Sequence, residues 1–210
     1  MGEERVIFES GGLGIEGLLE ISPGDRGVVV THPHPLYGGD MHNGVVQSVV
    51  DVYRMAGCST LRFNFRGVGA SEGAYDNGVG EQKDVESALK VLKDRGRSKI
   101  DLAGYSFGAW VNALGSWRFE QVERIIMVSP PVSFLEFPDL SDNPKIELVI
   151  VGTRDDFVDV NTLRATLRTW SPTAQLRVVE GADHFYTGKL AELREALREF
   201  LEGREESELK

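Results

Sequence analysis

Gly104-Tyr105-Ser106-Phe107-Gly108 stands between two segments of different period, and the rest of the chain has to be arranged around that junction. Lys99-Ile100-Asp101-Leu102-Ala103 before it is short and mostly apolar, the pattern of a buried strand. Ala109, Trp110, Val111, Ala113 and Leu114 after it continue without a proline and read as a helix. A serine between two glycines at a strand-to-helix joint is the pattern of a nucleophile elbow. The turn is too tight for bulky neighbours, so Gly104 and Gly108 keep Cβ atoms out of the crossing. Ser106 is thereby lifted clear of the sheet edge, and the Phe107 N–H sits at a helix N-terminus, where developing negative charge is stabilised. The pentapeptide alone is a weak signal; its place between strand and helix gives it weight.

The flanking segments extend this joint into a repeating pattern. Val6-Ile7-Phe8 and Ile15 to Glu20 are expected to pair as an antiparallel hairpin through Gly11-Gly12. Gly27 to Thr31 is an unbroken β-branched run, suited to a strand covered on both faces. His32-Pro33-His34-Pro35-Leu36-Tyr37-Gly38-Gly39 is an irregular loop stiffened by two prolines, and Asn43 is placed to cap a helix from Gly44 to Met55. Strands follow at Ser59–Phe65, Arg124–Val128, Ile146–Val151 and Leu176–Val179. Helices follow at Glu81–Lys93, Val160–Trp170 and Lys189–Leu201. Strands alternating with helices at this spacing predict a doubly wound, mostly parallel α/β sheet with helices on both faces and a crevice at the strands' C-terminal ends. A single domain over residues 1–203 and a charged C-terminal tail over 204–210 are expected, without internal repeats.

Composition enters as a set of exclusions. A formal net charge of −10 argues against nucleic acid and anionic membrane as partners. No apolar run approaches the ~20 residues of a membrane span. Met1-Gly2-Glu3-Glu4-Arg5 does not lead into an apolar stretch, so no signal peptide is expected. The one cysteine, Cys58, allows no internal disulfide and reads as a small buried hydrophobe; together these features point to the cytoplasm.

A serine hydroxyl needs a base, and the base needs a carboxylate to orient it. Of four histidines, His184 follows the strand Leu176–Val179, on the same rim of the sheet as Ser106. The carboxylate is expected from the loop after the preceding strand, where Gly152-Thr153-Arg154-Asp155-Asp156 offers two neighbouring candidates. The order Ser, Asp, His is that of an elbow-type hydrolase.

With those residues in place, the sequence resembles the α/β-hydrolase superfamily over nearly its whole length. More narrowly, His32-Pro33-His34-Pro35 with Gly38-Gly39, and Phe63 to Ser71 (FNFRGVGAS), resemble small cap-less hydrolases close to the dienelactone hydrolases. The resemblance implies that the Asp of Gly-x-x-Asp is the acid, which selects Asp155 over Asp156. It also implies that the loop after Gly27–Thr31 supplies a second oxyanion donor beside Phe107. Pro33 and Pro35 have no N–H, which leaves His34 or Leu36; many relatives have His-Gly where this chain has His32-Pro33. The link Ser129–Lys145 is too short for the helical cap many relatives insert. An open crevice is therefore expected, lined by Tyr37, Tyr105, Phe107, Pro131, Phe134, Phe157 and Phe185.

Other motifs are weaker. His32, His34, His42 and Asp40 match no known zinc spacing, and no metal or cofactor is expected; shaping of the oxyanion loop is the preferred role for this stretch. Gly67-Val68-Gly69 lacks the third glycine of a dinucleotide loop, having Glu72 instead. Arg66 and Glu81 are expected to pair by charge, and Trp110, Trp117 and Phe119 to pack the core or a neighbouring surface. The expected activity is that of a serine hydrolase acting on small to medium acyl esters. Thioester, lactone or peptide cleavage, or a non-catalytic binding role, are the alternatives. A homodimer is compatible with the sequence.

Overall fold

The structure, a computed structural model, describes residues 2–208, with side chains through residue 203. The chain opens with β1 (Glu4–Ser10) and β2 (Leu13–Glu20), paired antiparallel. Gly11 and Gly12 have φ of 59° and 86°, the left-handed pair a two-residue hairpin turn requires. β3 (Arg26–Thr31) leads through the His-Pro loop, which contains one 3₁₀ turn at Pro35–Tyr37, into α1 (Gly44–Met55). The Asn43 side chain accepts from the Val45 N–H and caps α1 as its residue type foretells. Then come β4 (Ser59–Phe63), α2 (Val79–Asp94), β5 (Lys99–Tyr105), α3 (Phe107–Gly115) and β6 (Val122–Val128). The chain closes with β7 (Ile146–Gly152), α4 (Val160–Trp170), β8 (Gln175–Val179) and α5 (Leu190–Glu208). The backbone of α5 thus runs into the stretch the charge pattern marks as a tail, and residues 209 and 210 lie outside the described residues.

The eight strands form one sheet in the order β1-β2-β4-β3-β5-β6-β7-β8. β1–β2 and β2–β4 are antiparallel, and every pairing from β4 through β3 to β8 is parallel. The period of two along each central strand divides its side chains between two cores. Val28 and Val30 join α1 and α5 on one face, whereas Val29 joins α2, α3 and α4 on the other. β6 and β7 split likewise, Ile126, Val128, Leu148 and Ile150 against Ile125, Met127, Val149 and Val151. Each such fully buried side chain contributes roughly 1.5–3 kcal/mol over leaving it in water, which is why these strands are apolar on consecutive positions. β5 is central, so Ser106 at its C-terminal end stands in the middle of the sheet's rim.

Two local features differ from the sequence expectation. α2 begins at Val79, two residues early, because the Glu81 carboxylate reaches back to accept from the N–H groups of Asp76 and Gly78, both at 2.8 Å. Glu81 is therefore spent on the helix start, and the Arg66–Glu81 pairing gives way to Arg66–Asp84. Arg66 donates to Asp84 from Nε at 3.1 Å and from Nη2 at 2.8 Å, and Ser10 donates to the same carboxylate at 2.7 Å. Asp84 lies one helical turn beyond Glu81; both are buried, and the Glu81 carboxylate is taken up by the helix start. Asp84→Ala leaves a nearly buried guanidinium unpaired and is expected to lower unfolding free energy by about 3–5 kcal/mol in urea titration. A loss under 1 kcal/mol would show that water satisfies Arg66 unaided.

Between β6 and β7, residues 129–145 contain no helix. The connection is pinned instead by two indoles: Trp110 donates to the Glu136 carbonyl at 2.8 Å and Trp117 to the Asp139 carbonyl at 3.1 Å. Phe119 is in the core, while Trp117 stays half exposed on this bridge.

Candidate active site

The elbow is built by close approach. A Cβ at Gly104 would lie 2.6 Å from the Ala109 nitrogen, and one at Gly108 would lie 2.7 Å from the Thr31 carbonyl oxygen and 2.8 Å from that of His32. Neither leaves room for a methyl group, so strand, helix and the loop after β3 meet here only because both positions are glycine. Ser106 itself has φ 54° and ψ −117°, a conformation L-residues rarely adopt. Its N–H donates to the Val128 carbonyl at 2.9 Å and its carbonyl accepts from the Trp110 N–H at 3.2 Å, which hold the strained residue in place. Phe107 begins α3, and its N–H is one of the four that a helix start leaves without an intrahelical acceptor.

His184 and Asp155 arrive from the two neighbouring loops, which are clasped to each other. Gly152 ends β7 with its Cα so close to the β8 loop that a Cβ would lie 2.1 Å from the Ala182 oxygen. The Arg154 N–H donates to that oxygen at 2.9 Å, and the Gly181 N–H donates to Thr153 Oγ1 at 2.8 Å. The His184 Nε2 lies 2.9 Å from Ser106 Oγ. On its other edge, Nδ1 lies 2.9 Å and 3.0 Å from the two oxygens of Asp155. All three side chains are buried, at 8%, 6% and 8% relative exposure for Ser106, His184 and Asp155. The Asp155 carboxylate also accepts from the Phe157 N–H at 2.9 Å, which fixes its rotamer. Asp156, its rival in sequence, is exposed, and the carboxylate at His184 Nδ1 is that of Asp155.

Because Asp155 accepts only, the hydrogen on His184 belongs on Nδ1, and Nε2 is left with its lone pair toward the serine. The Phe157 ring covers the imidazole with centroids 4.4 Å apart, and Phe134 extends that wall at 4.9 Å from Phe157. Phe185 meets the other side of His184 edge-on at 5.6 Å.

The expected cleft residues separate into two groups. Tyr37, Phe134 and Phe185 are exposed and Phe157 is half-buried; Phe157 and Phe185 stack on His184, Phe134 on Phe157, and Tyr37 on His34. Tyr105 and Pro131, by contrast, are buried. Tyr105 is the last residue of β5, and alternation turns it toward the α1/α5 core with Ala103. There its hydroxyl donates to the His184 carbonyl at 2.8 Å, a support beneath the histidine loop. Burial, with Asp155 nearby, raises the Tyr105 pKa well above the ordinary tyrosine value, so the hydroxyl remains a donor. Tyr186 shares a hydrogen bond of 3.1 Å with Ser129 at the base of the same loop. Its apolar neighbours gave no periodic signal, since it sits at φ 55° in a turn.

On the facing side, the N–H groups of the His-Pro loop differ in whether they are already bonded. The Leu36 N–H is occupied, donating to the His34 Nδ1 at 3.2 Å. The N–H groups of Tyr37 and Gly39 both donate to the His34 carbonyl at 3.1 Å, and that of Gly38 to the Pro35 carbonyl at 3.2 Å. With two prolines, this leaves the His34 N–H as the donor of residues 33–39 that makes no hydrogen bond among the described residues. The His34 ring rests on Phe107 with centroids 4.7 Å apart, so this loop and the elbow are in direct contact. The ring nitrogens of His32, His34 and His42 do not converge, and among the described residues no three metal-ligating side chains cluster.

No family model matches the chain. An uncharacterised protein of Rickettsia prowazekii is 32% identical over 204 residues, covering 90% of this chain and 86% of that protein. The solved structure of an alpha-beta serine hydrolase homologue from Coxiella burnetii is 35% identical with a TM-score of 0.88, covering 96% of this chain and 98% of that one. A serine hydrolase without lid from Xanthomonas campestris is 29% identical with a TM-score of 0.85, covering 95% and 93%.

Proposed function

Because the chain belongs to the α/β-hydrolase superfamily, as a cap-less member, we propose that it is a serine hydrolase cleaving carboxylic esters of small to medium acyl groups. The observation that carries this reading is the continuous line from Asp155 through His184 to Ser106, with contacts of 2.9 Å at both joints. In this reading His184 Nε2 takes the Ser106 proton as Oγ attacks the acyl carbonyl carbon. The carbonyl oxygen becomes an oxyanion held by the Phe107 and His34 N–H groups. His184 returns the proton to the departing alcohol, leaving an acyl-serine. Water, activated by the same nitrogen, then adds to that acyl group, and the acid leaves with Ser106 restored. Asp155 stabilises the imidazolium that forms twice in the cycle.

The substrate class follows from the walls. An opening with exposed aromatic rings and no cap offers contact to a short acyl chain and no tunnel for a long one. Hydrolysis of p-nitrophenyl esters from acetate to palmitate is expected to peak at the short to medium members; a maximum at palmitate would overturn the assignment. The activated serine is tested directly with a fluorophosphonate. One adduct on the wild-type protein by intact mass, located at Ser106, is expected. No adduct on folded protein would remove the basis for calling it a hydrolase.

A further inference from the structure

His32 lies outside the line of proton transfer, yet it is fully buried and both of its ring nitrogens are engaged. Nε2 faces the Phe65 N–H at 3.0 Å, and Nδ1 faces the Pro33 carbonyl oxygen at 2.6 Å. A backbone N–H can only donate and a carbonyl can only accept. The ring must therefore be neutral, with its lone pair on Nε2 and its hydrogen on Nδ1. Protonation would set an Nε2–H against the Phe65 N–H in a fully buried site, consistent with burial pushing the His32 pKa down to about 4. The ring is further seated edge-on against Phe65, centroids 4.7 Å apart.

What His32 grips is one end of a peptide unit. The Pro33 carbonyl and the His34 N–H belong to the same planar group, and the described residues contain no cis peptide bond. In a trans peptide the C=O and N–H point in opposite directions, so fixing the carbonyl fixes the direction of the N–H. The other side of this unit is also closed. A Cβ at Gly39 would lie 2.1 Å from the Pro33 oxygen and 2.8 Å from the His34 oxygen, and the Gly39 N–H already holds the latter. The neighbouring His34 carbonyl is thus anchored by two donors, and the Pro33 carbonyl by the His32 ring.

We propose that His32 is a positioning residue whose Nδ1–H holds the Pro33 carbonyl and so aims the His34 N–H as the second oxyanion donor. The proposal rests on the esterase reading above and adds to it the device that sets the donor. It explains how His32-Pro33 can stand where a His-Gly pair would otherwise let the backbone turn freely. Proline removes an N–H that could compete and limits φ, and the preceding histidine orients the next peptide.

Three measurements test it. In ¹⁵N-histidine spectra of the wild-type protein, His32 is expected as the Nδ1–H tautomer, unchanged between pH 5 and 8. An Nε2–H tautomer would overturn the proposal whatever the enzyme does. His32→Leu, which fills the space without a donor, is expected to lower kcat for p-nitrophenyl butyrate by about 10²- to 10³-fold, as for loss of one oxyanion donor. KM should stay within about threefold, because the hydrogen bond strengthens only as the oxyanion forms. His32→Gln, with one acceptor and one donor, is expected to recover part of that loss. A folded His32→Leu protein with wild-type kcat, or one in which only KM rises, would overturn the role. If His32→Leu fails to fold, the tautomer and the Gln variant decide. Failure of the parent reading is distinguishable: the wild-type protein would then take no fluorophosphonate, while the tautomer would still report on the His32–Pro33 contact.

Discussion

Ser106→Ala is expected to lower kcat/KM for an activated ester by about 10⁴- to 10⁶-fold and to abolish the fluorophosphonate adduct. The substitution removes one oxygen atom and nothing that holds the fold. Ser106 is anchored by its backbone, N–H to Val128 and carbonyl to Trp110, and among the described residues its side chain hydrogen-bonds to His184 alone. Thermal midpoint should therefore remain near the wild-type value while activity disappears. His184→Ala should cost a similar factor, and the double variant little more than either single one, because serine and histidine act as one unit in the same step. Independent, multiplicative losses would instead mean that the two residues serve different reactions. An Ser106→Ala protein retaining wild-type turnover would place the nucleophile elsewhere and end the assignment.

The same residue separates catalysis from stability. A side chain held at φ 54° and ψ −117° costs on the order of 1–3 kcal/mol. Ser106→Gly relieves that strain and pays back about 0.5–1 kcal/mol in unfolded-chain entropy. A modest net rise in unfolding free energy is expected alongside complete inactivity. Strain kept at a position where glycine would be more stable is understandable if the hydroxyl is used.

How far the sequence could be read depended on whether a residue's role was set locally. Asn43, Gly11-Gly12 and the Val28–Val30 run each answer to constraints within a few residues, a helix start, a hairpin turn and a two-faced strand, and the structure shows them so. The three loops that bring Ser106, Asp155 and His184 together were legible because a parallel sheet delivers its strand ends to one rim. What escaped was set by partners distant in sequence. Arg66 faces two buried acidic residues on α2, and the capping use of Glu81 leaves Asp84 as its partner. Nearness to Ser106 in sequence points Tyr105 to the cleft, but the period of two on β5 turns it to the opposite face. That the Leu36 N–H is already bonded depends on the His34 ring folding back on its own turn, which the residue order does not reveal.

Asp155→Asn is the second large effect expected, a fall of about 10⁴-fold in kcat. The variant is nearly isosteric and can keep the hydrogen bond from the Phe157 N–H through its amide oxygen. With that oxygen so engaged, the amide NH₂ turns toward His184 Nδ1. Nδ1 must then accept, the ring hydrogen moves to Nε2, and a donor faces the Ser106 hydroxyl where a base is needed. The loss thus comes from the wrong tautomer with the geometry intact, so KM and unfolding midpoint are expected to change little. Asp156→Asn is the control. Its side chain is exposed and outside the line of contacts, so kcat should stay within about twofold, since surface substitutions away from such features seldom matter. If Asp156→Asn were the inactive variant and Asp155→Asn the active one, the loop would have to rearrange on substrate binding. If neither mattered, His184 would be acting without a carboxylate partner, and the 2.9 Å contact would be structural only.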